Sequence, residues 1–458
     1  MTPPAATRAA RALGVVLLGA AVSPLDTAVN IALPAITAAF ALGLPEIRWI
    51  VIVYVLTYGS TMLICGRLGD LFGYLRVFRA GLVVTVFGLA GCALAPAWGG
   101  LLAARVVQGV GIALTLGCAP ALALSVYAEG ERTRVLGIYA ATFAAGLALG
   151  PLAGGLLLTL FDWRAVFWAR LPLALGALAL LGWIPAQTRA AGGRRFDAPG
   201  ALLLAGWMSA LLLAFALSGA LAAALGLAAL AGLGAFLWHA ARTASPILRL
   251  ALFRDPSFSL FNLLSIAVNL TGFSVFLIAP YFFVRVAGAA PGWAGLLLAV
   301  SPFAAMLGAM LAARAAPRLG VRLLALAGVA LCAAGLGWIA FWGASSGSAE
   351  MIAALALQGA GVGLFQVGYT DIVIAALPLE DRGVAGSLTM VTRTLGVVTA
   401  ATLLWGLFAH AEGAALAGGA PATDAFVAGF RFAFGCAAAG LGGCLAAALA
   451  WRALAGRF

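Results

Sequence analysis

The chain has 458 residues, 64% of them hydrophobic and only 9% charged. No water-soluble core uses that much apolar surface, so a soluble multidomain protein is excluded, and uncharged runs of about 18 or more residues read as membrane spans. The net charge of +12 does not point to nucleic acid, because the cations sit in twos and threes between apolar runs, as a membrane topology signal does.

Taken in chain order, fourteen spans are predicted, near 12–36, 47–65, 77–95, 99–125, 133–160, 165–184, 199–219, 221–240, 257–284, 293–313, 321–342, 350–377, 384–409 and 425–451. Arg8 and Arg11 before an apolar run raise the alternative of a cleaved signal peptide. The run continues well past Ala21, which favours a retained span. All 26 cations are arginine. With the N-terminus inside, nineteen of them fall on the cytoplasmic side and five outside (48, 164, 170, 285, 431), while Arg105 and Arg393 lie within spans. That asymmetry predicts cytoplasmic N- and C-termini. The six cysteines (65, 92, 118, 332, 436, 444) fall inside apolar runs without metal-ligand spacing and read as small packing residues. No metal and no catalytic residue set is expected. Trp49, Trp98, Trp293 and Trp342 near span ends read as interfacial anchors.

The chain also repeats itself. "RVVQGVGIAL" at 105–114 resembles "LALQGAGVGL" at 355–364, an offset of 250 that also carries Gly146 onto Gly396. An offset of 247 carries Gly73 onto Gly320 and Gly81 onto Gly328. The offset exceeds six spans by room for two more helices. The expected architecture is therefore an all-α integral membrane protein with 14 transmembrane helices, two six-helix pseudo-repeats plus two inserted central helices. The expected divisions are residues 1–188, 189–255 and 256–458. Parallel six-helix repeats are an arrangement of transporters that rock around a midplane site.

The buried charges carry the chemistry, since ionisable groups in a bilayer are costly and usually functional. Asp26 and Asp371 are the carboxylates well within predicted spans. Helical rise places Asp26 about 21 Å along the first span and Arg105 about 9 Å into the fourth, at similar depth. They can pair or compete. Burial opposes the charged form of an aspartate, a neighbouring guanidinium favours it, and a partner that approaches and withdraws lets the site take up and release a proton. The alternative is a static ion pair fixing two helices. Asp371 and Arg393 are plausible partners in the second half, with a structural role favoured. Gly146, Gly150 and Gly154 form a smooth stripe for close helix packing, and Pro151 permits a bend. Asn30, Tyr54, Tyr58, Gln108, Asn269, Gln366 and Tyr369, among Phe143 and Phe273, are candidate lining residues of a cavity for bulky lipophilic molecules. Ordinary core packing is the competing reading for most of them.

Several stretches resemble the major facilitator superfamily, and in particular its fourteen-helix drug:proton antiporter branch. "GRLGDLFG" (66–73) is similar to the family's loop between helices 2 and 3, "LDTAVNIALPAI" (25–36) to the branch's first-helix motif, and "RVVQGVG" (105–111) to its fourth-helix motif. "GLALGPLAGG" (146–155) resembles the antiporter motif of helix 5, which brings in Gly155. "FDWRAVFW" (161–168) and "FDAPGALLL" (196–204) look like the 5–6 loop and the first inserted helix. The resemblance implies the major facilitator fold, proton antiport through Asp26 and Arg105, and a hinge or seal at the helix 5 glycines. It also implies an interdomain latch in which Gly66 and Gly73 turn the loop and Asp70 faces a helix beginning near Gly383. The usual cation positions after that Asp hold Leu71, Tyr74 and Leu75, so Arg76 or Arg134 would have to serve.

The expected function is a proton-coupled exporter of small lipophilic compounds, monomeric in a cytoplasmic membrane. It would run on the proton gradient with no cofactor and with no nucleic-acid partner. A dedicated exporter of one endogenous metabolite, an importer, and a non-transporting receptor or scaffold are the alternatives. A membrane enzyme is disfavoured by two histidines, His239 and His410, set far apart, and ATP-driven transport by the lack of any nucleotide-loop lysine.

Overall fold

The computed structural model describes residues 5–127, 131–185, 197–217, 219–243, 246, 250–376, 389, 392–397 and 399–455. Every regular element among them is helical. The first half contains α1 (Ala5–Ala21), α2 (Ala28–Ala39), α3 (Trp49–Phe72), α4 (Tyr74–Leu94), α5 (Trp98–Leu124), α6 (Arg132–Leu160) and α7 (Leu171–Ala179). Two helices follow, α8 (Ala198–Ala216) and α9 (Gly219–Arg242). The second half contains α10 (Pro256–Arg285), α11 (Pro291–Leu319), α12 (Val321–Ile339), α13 (Ser348–Ala376), α14 (Trp405–Ala417) and α15 (Ala422–Ala455).

Twelve helical stretches among the described residues are long and apolar enough to cross a membrane. Two shorter apolar stretches, Trp49–Met62 and Ala198–Leu211, lie where the spans near 47–65 and 199–219 were expected. α3 itself runs on to Phe72, but its last turns carry the charges of Arg67 and Asp70.

Local sequence sets the boundaries. Pro256 and Pro291 stand in the first turns of α10 and α11, where a missing N–H costs nothing. Asp255 caps α10 by accepting from the Ser257 N–H at 2.9 Å. Asp197 of the "FDAPG" stretch does the same for α8 through the Gly200 N–H, also at 2.9 Å. Gly73 separates α3 from α4 with φ +94°, and Gly320 separates α11 from α12 with φ +79°. Such left-handed backbone favours glycine. Gly66 was expected to help that turn, but it lies inside α3 and faces the backbone of Gly117 on α5.

Packing divides the chain into two compact units, Met1–Ser209 and Ala210–Phe458, with the boundary inside α8. Each unit shows the same close helix contacts. In the first, a Cβ on Gly88 of α4 would stand 2.6 Å from the Gln108 Cα of α5, and one on Gly81 would stand 2.7 Å from the Thr115 N. In the second, a Cβ on Gly335 of α12 would stand 2.7 Å from the Gln358 Cα of α13, and one on Gly328 would stand 2.5 Å from the Phe365 N. Gly111 against Thr85 and Gly361 against Cys332 complete the set. These pairs keep the offsets of 247 and 250 seen in the sequence, so the repeat exists as three-dimensional packing and not only as similar letters.

The halves differ in how a corresponding helix is disturbed. α6 carries Pro151, whereas the second half has a π turn over Ala400–Leu404 just before α14. Trp342 is not an interfacial anchor: it is fully buried and stacks on Phe430 with ring centroids 6.0 Å apart.

A side chain at Gly88 or Gly335 would meet backbone that cannot swing aside. Gly88→Val and Gly335→Val are each expected to destabilise the chain by about 1–3 kcal/mol, the usual cost of overpacking. Thermal unfolding in detergent would show this, with Gly99→Val, which meets open space, as the neutral control.

Candidate functional site

The first span is broken where it carries its charge. Pro24 lacks the N–H of a regular turn, and the chain tightens into a 3₁₀ turn over Pro24–Thr27 between α1 and α2. The Asp26 N–H is satisfied by the Ser23 carbonyl at 2.9 Å. Thr27 Oγ1 donates to the Pro24 carbonyl at 2.9 Å and the Leu147 carbonyl at 3.3 Å, tying the turn to α6. The glycine stripe of α6 receives this turn. Cβ atoms on Gly146 and Gly154 would stand 2.6 Å from Pro24 Cγ and from Ile31 Cγ2, and one on Gly150 would collide with Thr27. Pro151 and Gly155 are buried beside them. The stripe therefore seats the turn that presents Asp26.

Asp26 is 8% exposed and Arg105 1%. Arg105 Nη1 and Nη2 donate to Asp26 Oδ1 and Oδ2 at 2.7 and 2.8 Å, a bidentate pair. Arg105 Nε donates to the Ile50 carbonyl at 3.1 Å, and its guanidinium lies 4.0 Å over the Tyr54 ring. Gln108, one turn along α5, donates from Nε2 to Asp26 Oδ1 at 3.1 Å and accepts from Arg105 Nη1 at 2.8 Å. One face of α5 thus holds the carboxylate in a single pose.

A second guanidinium completes the centre. Arg170 Nη1 donates to Asp26 Oδ1. The charge pattern of the sequence assigns Arg170 to the extramembrane side, but it lies within the apolar stretch Ala165–Trp183 and is only 3% exposed. The "FDWRAVFW" segment explains how it gets there. Asp162 Oδ1 accepts from the Arg164 N–H at 3.0 Å, and buried Trp163 packs on Phe40 and Phe167 at centroid distances of 5.4 and 6.2 Å. A single helical turn over Ala165–Trp168 follows, and Arg170 Nε then donates to the Val166 carbonyl at 3.0 Å. The available signal was that Arg170 sits six residues beyond Arg164 in an otherwise apolar stretch.

The remaining expected residues fall in different places. Asn30 is buried on α2, while Tyr58 and Phe143 are half-buried in the first unit, with the Tyr58 ring tilted against Tyr54 at 5.2 Å. In the second unit Tyr369 is fully buried and donates to Asn262 Oδ1 at 2.9 Å, so it is a core residue rather than a lining one. Asn269 Nδ2 donates to the Ser265 carbonyl at 2.8 Å, Phe273 stacks on Phe276 at 6.3 Å, and Gln366 is half-buried. The expected pair of Asp371 and Arg393 is not formed. Asp371 is exposed near the end of α13 and has no ion pair among the described residues. Arg76 is exposed on α4, and Arg134 pairs with Glu131 at 3.3 Å. The Asp70 side chain and the segment around Gly383 lie outside the described residues.

The sequence that builds these elements is matched by a known family and by known proteins. The Major Facilitator Superfamily profile matches residues 15–401. The chain belongs to that superfamily. Among its relatives is "Riboflavin transporter RibZ" of Clostridioides difficile (strain 630), 26% identical over 398 residues, covering 86% of this chain and 87% of that protein. "Multidrug resistance protein Stp" of Mycobacterium tuberculosis (strain CDC 1551 / Oshkosh) is 29% identical over 385 residues, covering 80% and 70%. A crystal structure of the nucleoside transporter NupG shares the fold with a TM-score of 0.69 at 10% identity, covering 97% of this chain and 99% of that one. The superfamily is one of multi-pass membrane transporters, and this member has drug-resistance proteins among its relatives.

Removing the carboxylate leaves two buried guanidiniums unpaired. Asp26→Asn is expected to lower stability by about 3–5 kcal/mol, the usual cost of breaking a buried pair from one side. Adding Arg170→Gln to that variant is expected to recover part of the loss, a non-additivity that a double-mutant cycle in detergent would read.

Proposed function

We propose that the chain is a proton-driven antiporter that exports small lipophilic organic compounds. The carrying observation is the Asp26 carboxylate, buried inside an apolar helical stretch and held by Arg105, Arg170 and Gln108. A charge in such a place is expensive and is kept for function. Drug resistance in the name of a relative supports export of foreign compounds.

In this reading a proton from outside reaches Asp26 when the guanidiniums withdraw, and leaves toward the cytoplasm when they return. The turn over Pro24–Thr27 is the moving part, since its grip on α6 runs through small residues and one threonine hydroxyl. Two six-helix halves, residues 1–188 and 256–458, alternate access, with residues 189–255 forming an inserted pair and bringing the total to fourteen spans. The termini lie in the cytoplasm, the protein works as a monomer in the cytoplasmic membrane, and Asp70 latches one of the two states. Candidate substrate-contacting residues are Asn30, Tyr58 and Phe143 within the first unit and, taken separately, Asn269, Phe273 and Gln366 within the second.

A second reading has its own support. A riboflavin transporter is among the relatives, which favours a carrier dedicated to one heteroaromatic metabolite.

Inverted membrane vesicles with an imposed pH gradient separate these readings. The expected result is that at least one compound from a panel of lipophilic drugs dissipates the gradient with the wild type and not with Asp26→Asn. A response to riboflavin alone would select the second reading. Equal responses in wild type and variant would remove Asp26 from coupling.

A further inference from the structure

The Asp26 centre holds more positive charge than its carboxylate balances. Arg105 and Arg170 both bind Asp26, and among the described residues neither has another acidic partner. The other groups around the centre among the described residues are Tyr54 from α3, whose ring lies under the Arg105 guanidinium, Gln108 from α5, which donates to the carboxylate, and Cys92 from α4, which donates to Gln108 Oε1 at 3.8 Å. The turn receives from α6 its glycine stripe and the Leu147 carbonyl. The centre therefore carries one uncompensated positive charge within apolar helical stretches.

The excess has a location. Arg170 Nη1 is used on Asp26 and Nε on the Val166 carbonyl, but Nη2 is buried without a hydrogen-bond partner among the described residues. A guanidinium donor left unpaired away from water is costly. Protonating Asp26 would make this worse, since the excess would rise from one charge to two just as the carboxylate ceased to be a full acceptor. Proton uptake at such a centre requires negative charge to arrive with it.

We propose that the guanidinium of Arg170, assisted by Arg105, binds a monovalent anionic group, a halide or a carboxylate, when Asp26 is protonated. The proposal rests on the assignment of proton coupling to Asp26. Chemically the site suits this ligand: the planar donor fork of arginine grips a carboxylate through two parallel bonds and a halide through two converging ones. Proton and anion enter as a neutral pair, so each raises the affinity of the other by the same factor. The same excess charge repels lipophilic cations from the carboxylate, which directs the centre toward neutral or anionic cargo.

The test uses the purified full chain in detergent, titrated calorimetrically with sodium chloride and separately with sodium benzoate at about pH 5.5 and about pH 7.5. Binding is expected to be tighter at the lower pH, by up to about tenfold per pH unit, the limit for one linked proton. A pH-indicator dye in weak buffer should record proton uptake on adding the anion. Asp26→Asn, which mimics the protonated centre, should bind with no pH dependence. Arg170→Gln should lose binding and Arg170→Lys should keep a weakened form, with thermal unfolding confirming that both variants fold.

Binding of chloride identifies an inorganic counter-ion, and binding of benzoate alone identifies the carboxylate of a transported compound. The proposal is overturned if neither anion binds, if affinity ignores pH in the wild type, or if Arg170→Gln binds unchanged. Vesicle assays keep this separate from the functional reading. Substrate-evoked proton movement undiminished in halide-free and carboxylate-free medium would remove the anion and leave antiport standing. Linked proton and anion binding without any substrate-evoked proton movement would do the reverse.

Discussion

One carboxylate shared between two guanidiniums organises the first half of this protein. A lone aspartate in an apolar span would shed its charge, and a lone arginine there could not. Together they satisfy one another, and each guanidinium also finds a backbone partner. Arg105 finds the Ile50 carbonyl and Arg170 the Val166 carbonyl. The first bond ties α3 to α5, and the second fixes Arg170 within its own turn before α7, from which it reaches Asp26. The break at Pro24, the glycine seat on α6 and the aromatic packing around Trp163 all follow from the need to bring three charged groups to one point.

The second half repeats the scaffold without the charge. Gln358 occupies the position of Gln108 and accepts from Ser301 Oγ at 2.6 Å, where Gln108 accepts from Arg105. Among the described residues of the second unit the buried polar groups are neutral: Tyr369 bonds Asn262, and the Ser265 and Thr392 hydroxyls lie 3.0 Å apart. Neutral hydrogen bonds hold helices together without a titration step. The asymmetry has a clear basis in single residues, since Leu355 stands where Arg105 stands in the first half.

Much of the fold was legible because its signals are long and periodic. Apolar runs, the flanking arginines and the near-constant offset between the halves need no tertiary information. Asp26 and Arg105 were legible too, because a charge inside a hydrophobic run is conspicuous and helical rise puts both at one depth. Arg170 was not, because a charge next to a predicted loop reads as solvated, and only the one-turn helix over Ala165–Trp168 carries it inward. Gly66 was not legible for a similar reason: glycine marks both turns and close helix approaches, and nothing local separates the two. The π turn over Ala400–Leu404 was invisible, since Ala and Thr have no sequence signature for an extra residue per turn.

That π turn also affects the register of the helical stretch it interrupts. A wide turn holds one residue more than an α turn, so the helix beyond it is rotated by about 100° relative to an unbroken continuation. Pro151 disturbs α6 at the corresponding place without adding a residue. The segment beyond the wide turn is thus one position out of step with a plain α-helical continuation of the same sequence. The same wide turn gives this stretch a spare residue: deleting one alanine at Ala400 or Ala401 would restore α geometry while leaving the faces of both flanking segments as they are. Chain length is thus adjustable by one in the middle of a buried helical stretch, a place where insertions and deletions are ordinarily forbidden.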